Sequence, residues 1–174
     1  MKIENFIKPW HGTAVRHIPD GNNVLDFSLC GLANENRWNS SGEPTLYLAG
    51  SKQIALGEYS RHYQGDRSSK LYKRTQRRSL WKLELRLKKT IDLCNPGIFS
   101  AFPNSPHCFK EIKSARAIAT FFRDVHKVEA IFVPSLVFLD DLTKWCLVLF
   151  LENLPQETSR YIIKEQKDGL FEIS

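Results

Sequence analysis

Four polar side chains, far apart in the chain, stand in surroundings that would let them do chemistry. Glu58 sits among small and apolar residues in "QIALGEY" (53–59). On a helix it shares one side with Ala55, Tyr59 and His62, and Ala55 and Gly57 leave room beside its carboxylate. It is either a partly exposed helical glutamate or a carboxylate aimed into a cleft. Tyr47, in "TLYLA" (45–49), points to the face opposite Leu46 and Leu48, as a core aromatic or as a flat platform with a hydroxyl for an aromatic ligand. Arg37 precedes Trp38. Its guanidinium either stacks on that tryptophan or clamps a phosphate with two parallel hydrogen bonds. Ser135, in "FVPSLVF", follows Pro134 inside an apolar run, where proline marks a bulge or an edge, and its hydroxyl meets either backbone or a pocket.

Other chemistries lack their patterns. No G-x-S-x-G surrounds Ser135, so a serine hydrolase is not indicated. The chain has no P-loop, no G-x-G-x-x-G and no H-E-x-x-H. Its four cysteines, at 30, 94, 108 and 146, form no C-x-x-C pair and meet no histidine at zinc-finger spacing. No metal site is expected, and the thiols read as small buried hydrophobes, reduced in a cytoplasmic protein.

The elements that must position these residues follow from periodicity. "TAVRHI" (13–18) reads as a first strand ended by a Pro19-Asp20-Gly21 turn, and "TLYLA" as a second strand behind a Ser-Gly-Glu-Pro turn. Ser51 can cap a helix over 52–64. In "WKLELRLKKTIDL" (81–93), Trp81, Leu83, Leu85 and Leu87 alternate with Lys82, Glu84, Arg86 and Lys88, which predicts a strand with one wet face. A proline-broken loop follows, then a helix near 110–125 with Ala115, Ile118, Ala119 and Phe122 toward the core. "EAIFVPSLVFL" and "KWCLVLFLEN" are apolar on both faces, which predicts central strands. The tail after Pro155 reads as a short helix or an edge element. With 174 residues, 42% hydrophobic and 25% charged, the chain predicts one mixed α+β domain over 1–174.

The net charge of +6 is concentrated. Residues 61–90 hold eleven Lys and Arg against Asp66 and Glu84, a local +9 that leaves −3 for the rest. The basic run Arg67, Lys70, Lys73, Arg74, Arg77, Arg78 reads as a solvated face or as a contact for an acidic partner or a nucleic-acid backbone. No apolar run approaches the roughly 20 residues of a membrane-spanning helix. "MKIENFIKPW" lacks the apolar core of an export signal, so a cytoplasmic location is expected.

Taken together, "RWN..G.PTLYLA.S...AL.E" resembles the signature of the RES-domain family, toxins of bacterial toxin–antitoxin pairs. The positions that match the family's Arg, Tyr, Glu and Ser are Arg37, Tyr47, Glu58 and Ser135, within a resemblance covering about residues 13–155. "SARAIATFF" before the last strands and Asn153 in "LENLP" after them also fit. This chain has Asn34-Glu35-Asn36 where family members usually carry glycines before the Arg-Trp pair. The resemblance implies an ADP-ribosyltransferase-like mixed sheet flanked by helices. It implies an enzyme that cleaves the nicotinamide–ribose bond of NAD with water or phosphate as acceptor, with NAD as substrate and no permanently bound cofactor. It also implies a partner antitoxin with a helix-turn-helix domain, through which any nucleic-acid contact would be indirect, and it makes a homodimer plausible.

The residue types suit that bond. Nicotinamide leaves NAD as a neutral molecule, so no general acid is needed and one carboxylate suffices, unlike the paired carboxylates of ordinary glycosidases. Glu58 would stabilise the positive charge growing on the ribose and hold its hydroxyls. Arg37 would take the pyrophosphate, with Arg16 as a second candidate; Tyr47 would stack on the nicotinamide; Ser135 would bond a phosphate oxygen, the carboxamide or the acceptor. Two other readings remain: transfer of ADP-ribose to a protein, and a non-catalytic module binding nucleic acid through residues 67–78.

Overall fold

A computed structural model describes residues 2–31, 36–65, 76–102 and 107–173. Strands β1 (Lys8–Pro19), β2 (Thr45–Ala49), β3 (Gln76–Asp92), β4 (Ala130–Pro134), β5 (Trp145–Phe150) and β6 (Ile162–Ile173) form one sheet in the order β1-β2-β5-β4-β3-β6. Strand β1 also pairs with β3, so the first five strands close into a barrel and β6 hangs on β3 outside it. The β3–β4 pair is parallel and the other pairs are antiparallel. This is a mixed α+β fold, as the sequence predicts.

Alternation along each strand sorts side chains to the two faces of the barrel wall. Leu46 and Leu48, Leu83, Leu85 and Leu87, Phe132, and Leu147 and Leu149 fill the interior. The outer face of β4 and β5 contributes Ile131, Val133, Val148 and Phe150 to a second cluster with Ala115, Ala119 and Phe122. These last three come from helix α4 (Ile112–Thr120) and the π-helical turn Phe121–Val125 that continues it. Both faces of β4 and β5 are therefore covered, which is why these strands are apolar throughout and central. Helix α1 (Lys52–Gly65) covers a separate patch, where Ile54 and Ala55 meet Val15, Ala49 and Leu80. The Ser51 hydroxyl accepts from the Ile54 amide at 3.3 Å, the cap its position predicts.

Several expectations are corrected. Strand β1 starts five residues earlier than the predicted 13–18, because the long β3 offers it a partner as far as Thr90. The strand expected through 139 ends at Pro134; the Ser135 amide still donates to the Lys144 carbonyl at 2.8 Å, and the chain then turns, with the Phe138 amide donating to the Ser135 carbonyl at 3.2 Å. The loop after Cys94 contains two short helices, α2 (Pro96–Phe99) and α3 (His107–Lys110). Of the two readings of the tail after Pro155, the edge element holds: Ile162–Ile173 is a 12-residue edge strand. Residues 67–75 of the basic run, Asn34, Glu35 and the His62 side chain lie outside the described residues.

A buried cation ties the outer layer together. Arg123, in the π-helical turn, is 2% exposed and pairs with Glu43 and with Glu152 at 3.0 Å. Its Nη2 donates to Thr45 Oγ1 at 2.7 Å, and its guanidinium lies over the Phe150 ring at 4.4 Å. Asn153 donates to the carbonyls of Arg123 and Val128, at 2.9 and 2.8 Å, so its role here is to hold that turn. Removing the cation strands two partly exposed carboxylates. Arg123→Ala is expected to lower unfolding free energy by about 2–4 kcal/mol, below the range for a fully buried pair because the acids keep water contact. Urea denaturation checks this.

Candidate active site

Helices α1 and α4 cover two separate parts of the barrel's outer face, and between them lies a cleft of about 670 Å³. Its floor is β-sheet: Val15 from β1, Tyr47 and Ala49 from β2, Val133 from β4 and Cys146 from β5. Strands β1 and β2 share one residue pair, Val15 with Ala49. Glu58, Arg37 and Tyr47 all line this cleft. That volume falls within the usual range for a small-molecule or cofactor site.

Glu58 projects from α1 toward the loop that follows β4. Its Oε1 accepts from the Ser135 hydroxyl at 2.6 Å and the Leu136 amide at 2.7 Å, with the Val137 amide at 3.4 Å. Its Oε2 accepts from Nε and Nη2 of Arg61, at 3.2 and 3.1 Å. The close approach of helix and loop uses Gly57: a Cβ there would stand 3.3 Å from Val137 Cγ1. The room predicted beside the carboxylate is thus taken up by the loop that holds it. A carboxylate accepting several directed hydrogen bonds keeps one orientation.

Arg37 and Trp38 are the two central residues of a tight turn closed by the Asn36 amide donating to the Asn39 carbonyl at 3.1 Å. Trp38 is the buried anchor, 4% exposed and packed near Phe109. Tyr47 fastens the same turn: its hydroxyl accepts from the Trp38 amide at 3.1 Å and donates to Asn39 Oδ1 at 2.7 Å. Arg37 is left facing the cleft while Nη1 donates to the carbonyls of Phe109 and Lys110, at the end of α3. Burial, and then the charge of Arg61, lower its pKa below the ordinary arginine value. Such a cation gains from an added anion. Burial keeps the Tyr47 phenol protonated well above its usual pKa. Burial, with the Glu58 charge next, likewise holds the Cys146 thiol neutral.

Two of the sequence-assigned residues lie outside the cleft lining. Arg16 shares β1 parity with Ala14 and Ile18, which face the barrel interior, so it points away from Val15 and His17 at the cleft. Its guanidinium is bonded to the carbonyls of Val24 and Asp26 and lies 4.8 Å over Phe27. Ser135 is 0% exposed and does not line the cleft; its hydroxyl donates to Glu58.

Sequence reading missed two cleft cations. Arg61 lies one helical turn beyond Glu58. Arg116, on α4, donates Nε to the Asn36 carbonyl at 3.0 Å. The i,i+3 spacing of Glu58 and Arg61 is a readable ion-pair signal; Arg116 offers none, since its neighbours in space are some 80 residues away. Among the described residues no group of three or more His, Cys, Asp or Glu is placed to hold a metal ion, and no helix is long and apolar enough to cross a membrane.

Comparison with known proteins bears on the family and the fold. The family model described as the RES domain matches residues 14–169. No curated protein matches the chain. Among solved structures, the chain is similar in fold to one in the crystal structure of the M. tuberculosis MbcT–MbcA toxin–antitoxin complex. The TM-score is 0.64 at 15% identity, with 97% of this chain and 87% of that chain covered.

Because Tyr47 fastens the turn that carries Arg37, losing its hydroxyl leaves a donor and an acceptor short of a partner. Tyr47→Phe is expected to cost about 1–3 kcal/mol of stability, read by chemical denaturation.

Proposed function

Since this chain belongs to the RES-domain family, we propose that it consumes NAD, breaking the nicotinamide–ribose bond with water or phosphate as acceptor. The observation that carries this reading is a single oriented carboxylate, Glu58, in a cleft also lined by Arg37, Arg61, Arg116 and Tyr47. The cations suit a pyrophosphate, and the floor beside Tyr47, Ala49 and Val133 suits a flat ring.

In the proposed reaction the bond from ribose C1′ to the pyridinium nitrogen breaks, and its electron pair leaves with neutral nicotinamide. An oxygen of water or phosphate forms the new bond at C1′ and its proton passes to solvent. Glu58 stabilises the positive charge that develops on the ribose between the two events. Ser135 and the Leu136 amide act through Glu58: they fix Oε1, which makes Oε2, the oxygen that Arg61 holds in the empty cleft, the one to face the ribose. Arg37 binds phosphate oxygens, and the Tyr47 ring sets the angle of the nicotinamide.

As a consumer of a central dinucleotide, the protein is proposed to act as a cytoplasmic toxin, restrained by an antitoxin with a helix-turn-helix domain. The similarity to a chain of the MbcT–MbcA toxin–antitoxin complex supports an antitoxin partner.

Purified protein incubated with NAD, with and without phosphate, is expected to release nicotinamide and either ADP-ribose or its 1″-phosphate. Label retained on protein instead would overturn the choice of acceptor, and intact NAD would overturn the reading. Glu58→Gln is expected to lower turnover by about 10²–10³-fold with the fold intact. Arg37→Ala is expected chiefly to raise KM for NAD; an unchanged KM removes Arg37 from the site.

A further inference from the structure

The carboxylate just described is not ready for the task assigned to it. Ser135 and Leu136 occupy Oε1 of Glu58, and both Nε and Nη2 of Arg61 occupy Oε2. No oxygen of Glu58 is left uncommitted for a ribose hydroxyl. The electrostatics point the same way. A guanidinium 3.1 Å from Oε2 largely cancels the negative field that a developing ribose cation would feel. The side chain of Arg61 is 38% exposed against 19% for Glu58, so the arginine is the more solvent-accessible member of the pair.

We propose that Arg61 is a phosphate-operated cover on Glu58: in the empty cleft it occupies Oε2, and the pyrophosphate of an arriving dinucleotide draws it off. The proposal rests on the NAD reading above and adds to it a basis for substrate discrimination. Arg61 is a long, flexible, half-exposed side chain, and it sits in the same cleft as Arg37 and Arg116. A dianionic pyrophosphate held by those two cations offers Arg61 a second counter-anion. Its charge also weighs on Arg37, so an anion between them relieves both. Only a substrate with phosphates then uncovers the carboxylate, and an N-ribosyl pyridinium without phosphates leaves the cover in place. Arg61 is thereby a positioning residue for Glu58 in the empty enzyme and a ligand of the dinucleotide in the loaded one.

The test compares NAD with nicotinamide riboside, which has the scissile bond and no phosphate. In Arg61→Ala, kcat/KM for NAD is expected to fall at least about tenfold, because a phosphate ligand is lost. Turnover of nicotinamide riboside is expected to rise at least about threefold with its KM little changed, because the carboxylate is uncovered. A merely structural role would lower both substrates together. Arg61→Gln serves as the second variant, with the same expectation, and thermal unfolding confirms the fold of each. Riboside turnover that fails to rise, including turnover undetectable in parent and variants alike, overturns the cover; so does an equal loss on both substrates. Glu58→Gln is run alongside and is expected to lose both. If the parent leaves NAD intact, the NAD reading falls and the cover with it. If NAD is cleaved but the riboside gains nothing, only the cover falls.

Discussion

The hydrogen bond from the buried Ser135 hydroxyl to Glu58, backed by the Leu136 amide, is the interaction on which this site turns. It joins helix α1 to the loop after β4 across 77 residues of chain. A charged carboxylate that is largely removed from water must be met by donors, and an unmet one is costly. Local structure has been arranged accordingly. Strand β4 stops at Pro134, which frees the amides of Leu136 and Val137 from the ladder. Gly57 lets the helix come close enough for the carboxylate to receive them.

The second constraint is the hold on the Arg37 turn. Trp38 is sunk into the outer core, while the Tyr47 hydroxyl ties the Trp38 backbone to the Asn39 side chain. Arg37 is the cation that this turn presents to the cleft. Arg116 steadies the base of the same turn from α4 through the Asn36 carbonyl. The turn, strand β2 and helix α4 thus form one unit, stapled by buried Arg123 to Glu43 just ahead of β2. The cleft itself is an uncovered part of the barrel's outer face, left because α1 and α4 pack on separate patches of it.

Much of the fold was legible in the sequence because side-chain period reports burial directly. The boundaries of β2 were read correctly from five apolar-rich residues between turn signals, and the Ser51 cap from its place before a helical run. The alternation in residues 81–88 gave the faces of β3. Less legible were lengths and ends. Strand β1 is extended by its partner β3, and the edge strand β6 exists because β3 leaves a side open to it; neither partner is visible from the residues of the strand alone.

The sequence by itself determined which residue types could reach a common site, and Arg37, Tyr47, Glu58 and Ser135 in their contexts carried the family resemblance that pointed to all four. It could not decide their partners. Whether Arg16 faces cleft or barrel interior depends on strand parity relative to a closed sheet, and closure is a property of five strands together. Whether Ser135 meets a ligand or a carboxylate depends on how closely α1 packs on a loop far away in sequence. Only the tertiary structure decided these, because hydrogen bonds and ion pairs are set by distances of about 3 Å, which chain order does not encode across long separations.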